Sequence, residues 1–302
     1  MAPSLKATPS VSIIGAGRLG SALALALDSA GYRIDAVAAR RLANAVQASR
    51  KLVPRPLPLA AEQLGRLPSS EIIIISTPDD QIPVVAANLA RATRANGKSQ
   101  VYLHTSGALS SSALKALVDK GHHVGSLHPL IAVSDRKAGA KSLRAAYWCV
   151  EGDPAATRAA REIVKRLGGH SFSIKSNKKP LYHAAAVMVA GHTVALFDVA
   201  VAMLIKSGVS RKRAREILLP LIKSNVRNLA KHGPERALTG SFVRGDAATI
   251  ERHLGALKTS DEEDALAVYR ILGKRSLQLA VQAKQLDKGE MTKIMKLLGV
   301  AE

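Results

Sequence analysis

A short apolar run, Val11-Ser12-Ile13-Ile14, leads directly into Gly15-Ala16-Gly17-Arg18-Leu19-Gly20. This Gly-x-Gly-x-x-Gly spacing constrains the fold more than any other stretch of the chain. A strand must end, the backbone must turn sharply, and a helix must begin at once over residues 21–27. Gly15 makes the tight turn, Gly17 lets the backbone approach a pyrophosphate, and Gly20 lets the helix pack closely on the strand. The free N–H groups of the helix start then point at the phosphates. Glycine triplets also arise by chance, so the context carries the reading: a second strand over residues 33–38 completes the unit. The expectation is a dinucleotide site formed by Gly15, Ala16, Gly17, Arg18, Leu19 and Gly20.

The alternation of strands and helices continues beyond this unit. Apolar runs at 72–76, 101–105 and 124–127 are separated by helical segments. An aliphatic stretch such as Ile72-Ile73-Ile74-Ile75 is typical of parallel strands covered on both faces. The fold class expected is α/β, with a doubly wound, mainly parallel sheet. Two further candidates, 147–150 and 171–174, flank a helix starting near Pro154 and extend the same sheet. After Asn177 the strand signals stop, and Pro180 suits the first turn of a long helix. Helical periodicity then runs on with breaks near Gly208, at His232-Gly233-Pro234, at 240–245 and at 258–260. The expected division is a dinucleotide-binding domain over 1–176 and an all-helical substrate and dimerisation domain over 177–302.

Composition narrows the function classes. Aromatic residues make up only 3% of the 302, so Ala, Leu, Val and Ile must build the core. A single cysteine, Cys149, excludes an internal disulfide framework and fits a reducing cytoplasm. Residues 1–10 hold no apolar run of the kind a secretory signal needs. The formal charge of +21 suits acidic ligands, yet it reads first as a solvated basic surface. Its densest stretch, 206–231, has no interleaved aromatics to stack bases, so nucleic acid is not an expected partner. Residues 181–205 are apolar and long enough to cross a bilayer. They also contain His183, Gly191, His192 and Asp198, which favours a helix buried within a helical domain or in a homodimer over a membrane span.

The cofactor follows from the end of the second strand. Selectivity for NAD needs an acidic residue at the ribose, whereas arginine accommodates the 2′-phosphate of NADP. Asp35 lies early in that strand, while Arg40 and Arg41 fall at its carboxyl end. NADP is therefore expected ahead of NAD. At the next strand end, Thr77 and Pro78 should line the cofactor, with Asp79 or Asp80 capping a helix.

Several further stretches carry a family resemblance: His104-Thr105-Ser106-Gly107-Ala108-Leu109, Gly125-Ser126-Leu127-His128-Pro129-Leu130, Lys179-Pro180-Leu181-Tyr182-His183-Ala184-Ala185-Ala186, Arg244-Gly245-Asp246 and His253-Leu254-Gly255-Ala256-Leu257. With the opening glycine run, their order resembles bacterial Rossmann-like proteins with a helical C-terminal domain of unknown function. That family is similar in layout to ketopantoate reductases, pyrroline-5-carboxylate reductases and deazaflavin-dependent NADP oxidoreductases, a 6-phosphogluconate dehydrogenase-like arrangement. The resemblance implies an NADP-dependent oxidoreductase passing hydride between the nicotinamide and a small carbonyl or imine substrate bearing a carboxylate. The alternative is a non-catalytic NADP-binding sensor or scaffold with a basic helical interaction domain.

Lys179 is the first candidate proton donor. A residue before proline is pushed away from helical geometry, which would place it at the junction between domains, and burial readily shifts a lysine pKa. Ketopantoate reductases follow their lysine with asparagines four and eight positions later, where this chain has His183 and Val187. His183 is the alternative acid. Ser106 is expected to donate to a substrate oxygen and His128 to hydrogen-bond a carbonyl or carboxylate. Arg244 suits a substrate carboxylate, with Asp246 and His253 nearby in sequence and Asp246 equally suited to capping a helix. The histidines lack metal spacing and a third ligand, so no metal is expected.

Overall fold

A computed structural model describes residues 8–92, 98–133, 135–260 and 263–299 of the chain. They form two compact units, Met1–Ala190 and Gly191–Glu302.

The first unit is built on an eight-stranded sheet. Its strands are β1 (Val11–Ile14), β2 (Ile34–Ala39), β3 (Leu57–Ala60), β4 (Ile72–Ile75), β5 (Val101–His104), β6 (His123–Pro129), β7 (Tyr147–Gly152) and β8 (His170–Phe172). The spatial order is β3-β2-β1-β4-β5-β6-β7-β8, with every neighbouring pair parallel except β6 and β7. The helices of this unit are α1 (Arg18–Ser29), α2 (Leu42–Ser49), α3 (Ile82–Ala92), α4 (Lys115–Val118), α5 (Arg136–Leu143), α6 (Pro154–Arg166) and α7 (Lys179–Val189).

The period of two in the aliphatic strands divides the core into two layers. Ile72 and Ile74 join Val11, Ile13, Leu103, Leu127 and the inner faces of α1 and α6 on one side. Ile73 and Ile75 join Ile14, Ile82, Leu89 and Leu117 on the other. Covered on both faces, the central strands contain almost no exposed side chain, as the sequence led us to expect. Two features were not legible. Strand β3 lies in a proline-rich stretch, and Pro58 is tolerated there because β3 is the sheet edge. The reversal at β6–β7 depends on Gly152, whose φ is +141° and where a side chain would strike Gly125.

The opening glycines have separable roles. Gly15 adopts φ +110°, and a Cβ there would run into the Ser76 carbonyl. A Cβ on Gly20 would collide with the Gly15 carbonyl oxygen. Gly17, which precedes α1, would direct a Cβ into open space.

The second unit is helical, with α8 (Gly191–Lys206), α9 (Arg211–His232), α10 (Pro234–Ala237), α11 (Ala247–Lys258), α12 (Glu263–Gln282) and α13 (Lys288–Leu298). Breaks fall near Gly208, at Gly233 and around 238–246 as sequence placed them, while the break between α12 and α13 was not foreseen. Ile250 and Leu254 of α11, Leu277 and Ala280 of α12, and Ile294, Met295 and Leu298 of α13 make its core. The stretch Ser176–Lys206 is long and apolar enough to span a membrane, and only 6% of its most apolar window is buried within the chain. Burial inside the helical domain, one of the two expected explanations for that stretch, is therefore not what the fold provides. Val194 and Leu196 are exposed on α8, as are Ile217, Leu221 and Val226 on α9.

The glycine geometry gives opposite expectations for two small substitutions. Gly20→Ala should cost about 3 kcal/mol, at the upper end of overpacking penalties. Gly17→Ala should cost less than about 1 kcal/mol. Urea denaturation of both variants checks the difference.

Candidate active site

Parallel strands deliver their carboxyl ends to one edge of the sheet, and the loops leaving that edge form the site. At β1 the chain turns through Gly15 into α1, whose first turn contains no acidic side chain. The amides opening α1 are thus available to an anion. At β2 the strand ends at Ala39, and the exposed Arg40 and Arg41 follow on the same edge. Asp35 lies far back in β2. Its carboxylate accepts from Arg33 Nε at 2.8 Å and from Ser70 Oγ at 2.8 Å, so it is not presented at the ribose end.

One pocket runs along this edge. It is lined by Gly17, Arg18, Leu19, Ser76, Thr77 and Pro78 at one end, and by Ser106, Gly107, His128, Pro129 and His183 at the other. Two buried polar atoms in its lining have no hydrogen-bond partner among the described residues, Thr77 Oγ1 and His183 Nδ1. Buried polar atoms are rarely left unsatisfied, so both are open to water or to a bound molecule. The open space beside Gly17, the free helix start and the Thr77 hydroxyl together fit a dinucleotide. Ala16 and Gly20 hold the turn behind it and are buried.

The polar end of the pocket is framed by buried groups. His104 is fully buried, and its Nδ1 accepts from the Ser106 amide at 3.2 Å. Its Nε2 lies 3.0 Å from the Ser110 carbonyl and must donate to it. Burial, then the nearby Lys179 ammonium, pushes the His104 pKa down to about 4. His128 reaches a similar value, about 4, through burial and then the neighbouring His183, Lys179 and His104. Gly107 is obligatory between the rings, since a Cβ there would lie 2.8 Å from His128 Nε2 and closer still to His183 Nδ1.

Two expectations about individual residues are corrected here. Ser106 Oγ donates its only proton to Asp79 Oδ2 at 2.8 Å and accepts from the amides of Ala108 and Leu109. It ties a loop and has no proton left for a substrate, and Asp79 serves that contact instead of a helix cap. Lys179, expected outside helical geometry at the domain junction, has φ −57° and ψ −42° and opens α7 within the first unit. Its side chain is completely buried, with Nζ donating to the Ser106 carbonyl at 3.0 Å and to Ser126 Oγ at 2.7 Å. That double anchor outweighs the local pre-proline preference. Burial lowers the Lys179 pKa against the opposing pull of Cys149, Glu151 and Asp79. The ammonium stands behind the pocket and does not line it.

Sequence reasoning passed over Glu151 and Tyr182. Burial pushes the Glu151 pKa up, yet its hydrogen bonds outweigh that and hold it below the ordinary value. Its carboxylate accepts from the Ser111 amide and hydroxyl and from Ser176 Oγ, fastening the turn before α7. Tyr182 hydroxyl lies 2.7 Å from His128 Nδ1. An aromatic one residue before His183 was the available signal for Tyr182; nothing in the sequence pointed to Glu151.

The remaining candidates belong to the second unit. Asp246 Oδ1 accepts from the Thr249 amide at 3.0 Å and caps α11. His253 Nδ1 lies 2.8 Å from Tyr269 hydroxyl, and Arg244 is exposed. Among the described residues no cluster of three metal-ligating side chains occurs.

Solved structures share this fold. Protein TM1727 from Thermotoga maritima superposes with a TM-score of 0.71 at 23% identity, over 91% of this chain and 99% of that one. An imine reductase from Streptomyces aurantiacus gives 0.59 at 19% identity, over 95% and 99%. A pyrroline carboxylate reductase from Plasmodium falciparum, solved with NADP bound, gives 0.54 at 14% identity, over 96% and 98%. No curated protein matches the chain. Residues 4–129 match the Rossmann-like domain and residues 146–276 match the domain of unknown function DUF2520. The chain thus carries a Rossmann-like domain followed by a DUF2520 domain.

Proposed function

We propose that this protein is an NADP-dependent oxidoreductase acting on a small carbonyl or imine compound. The observation that carries the proposal is the pocket along the carboxyl edge of the sheet. It joins the glycine turn to a pair of imidazoles and leaves Thr77 Oγ1 and His183 Nδ1 without hydrogen-bond partners among the described residues. The oxidoreductase neighbours of the same fold support the reading.

A bound nicotinamide would supply or receive the hydride. Gly17, Arg18 and Leu19 would hold the pyrophosphate through the open start of α1. Arg40 and Arg41 would grip the 2′-phosphate as planar forks. His128 would bind the substrate's reacting heteroatom, and His183 would handle its proton. Lys179 fixes the Ser106 loop from behind. The exposed apolar faces of α8 and α9 support a homodimer, and the lone buried Cys149 suits a reducing compartment.

A second reading, a nucleotide-binding sensor whose basic surface meets an acidic partner, is favoured by the exposed Arg211, Lys212, Arg213 and Arg215 of α9. It differs in one outcome, nucleotide binding without turnover.

Titration with NADPH and NADH is the direct test, and absence of binding to both overturns the proposal. The double variant Arg40→Ala/Arg41→Ala should weaken NADPH by roughly 10- to 100-fold, the worth of one or two charge-assisted hydrogen bonds, and leave NADH unaffected. His183→Asn should lower turnover by about 100-fold or more while cofactor binding persists. Light scattering should give twice the monomer mass, and Leu196→Lys should halve it. The neutral histidines also set a pH signature. Their folded-state pKa values, about 4, lie below the ordinary 6.5. The unfolded chain therefore takes up protons first, and stability should fall as pH drops from 6.5 toward 4, readable as a falling urea midpoint.

A further inference from the structure

We infer that Tyr182 locks His128 as its Nε2–H tautomer, so that the pocket offers a fixed hydrogen-bond donor and takes a substrate through an oxygen rather than a cationic nitrogen. The second half of this inference deepens the proposed reaction and rests on it; the first half stands on the protein alone.

His128 sits near the end of β6, and its ring is flanked on three sides. Across the β6–β7 register it faces Cys149, from β5 it is approached by His104, and α7 brings Lys179, Tyr182 and His183. The Tyr182 ring stands edge-on to the imidazole at 90°, with centroids 5.6 Å apart, and packs on Phe172 behind. This places the phenol oxygen 2.7 Å from Nδ1. Burial and the Cys149 thiol raise the Tyr182 pKa, so the phenol keeps its proton. An imidazole nitrogen accepts far better than a thiol sulfur. The single phenol proton therefore goes to the stronger acceptor, and Tyr182 donates to His128 Nδ1 across the 2.7 Å contact. The proton of neutral His128 must then reside on Nε2.

That nitrogen points toward Gly107 and the unpartnered His183 Nδ1. With Nδ1 occupied and the Lys179 ammonium close behind, the ring resists becoming imidazolium. It can polarise an oxygen without surrendering its proton, a role that neutral imidazoles fill in enzymes. An iminium nitrogen has no lone pair to accept from Nε2–H, and its charge is disfavoured beside Lys179. A ketone or aldehyde oxygen meets both conditions. Tyr182 is thus a positioning residue, acting through His128.

The test is 15N NMR of the histidine-labelled whole protein without cofactor, with His128 assigned by its loss in His128→Asn. A protonated Nε2 and an unprotonated Nδ1, persisting from pH 8 to pH 5, are expected. Tyr182→Phe keeps the ring packing; it should mix the tautomers and move the His128 titration upward by about one pH unit, on the scale of one hydrogen bond. Addition of cyclopentanone should shift the Nε2 signal, and pyrrolidinium should not. A proton on Nδ1, or an unchanged spectrum in Tyr182→Phe, overturns the tautomer assignment. A response to pyrrolidinium, or none to cyclopentanone, overturns the preference for oxygen. Failure to bind NADPH would defeat the oxidoreductase reading and leave these spectra intact, so the two failures are distinguishable.

Discussion

A buried ammonium group organises the polar end of this pocket. Lys179 Nζ has no exposure and is held by one carbonyl and one hydroxyl, from Ser106 and Ser126. Moving an ammonium out of water costs several kcal/mol, so its hydrogen bonds must be well made for the fold to keep it. They join the loop after β5, the middle of β6 and the start of α7 at one point. Glu151 adds a second fastening, binding Ser111 and Ser176 on either side of the same junction. Together these place Tyr182 and His183 of α7 over His128.

The positive charge also sets the electrostatics of its neighbours. His104 and His128 lie close to Lys179, and both are held neutral by burial and by that charge. Neutral imidazoles divide their nitrogens into one donor and one acceptor, which makes hydrogen-bond direction the deciding variable. In His104 both nitrogens serve the loop, one receiving the Ser106 amide and the other facing the Ser110 carbonyl. His128 hydrogen-bonds through Nδ1 alone among the described residues, which leaves Nε2 for the pocket. Two histidines on adjacent strands therefore do different work.

The glycine run and the aliphatic strands were legible because local geometry alone dictates them. Gly15 and Gly20 are required by backbone collisions, and a run of four isoleucines buries both faces of a strand wherever it sits. Strand β3 was hidden because its prolines oppose strand formation and only its edge position accommodates them. At the glycine end of the pocket, Thr77 was equally readable, because the same pattern fixes the strand end that it follows. At the polar end His128 and His183 were readable, but two side-chain assignments were not. Ser106 looked like a donor until Asp79, from a loop 27 residues earlier, proved to take its proton. Lys179 was read from its neighbour Pro180, whereas its position is set by oxygens 73 and 53 residues away.

The two ends of the pocket also differ in what they demand of a ligand. At the glycine turn the protein offers backbone amides and exposed arginines, donors that suit phosphate and tolerate some freedom of placement. Around Gly107 the absence of a side chain is itself the specification, because a single added carbon would touch both rings. A molecule bound beside Gly107 would lie between His128 and His183, and Lys179 cannot reach the pocket without breaking two buried hydrogen bonds. The division follows from strand order. β1 and β4 supply the loops at the glycine end of the pocket, while β5 and β6 supply the imidazole-bearing end, where α7 adds His183. The imidazoles at that end are neutral donors and acceptors, with Lys179 held behind them by its two hydrogen bonds.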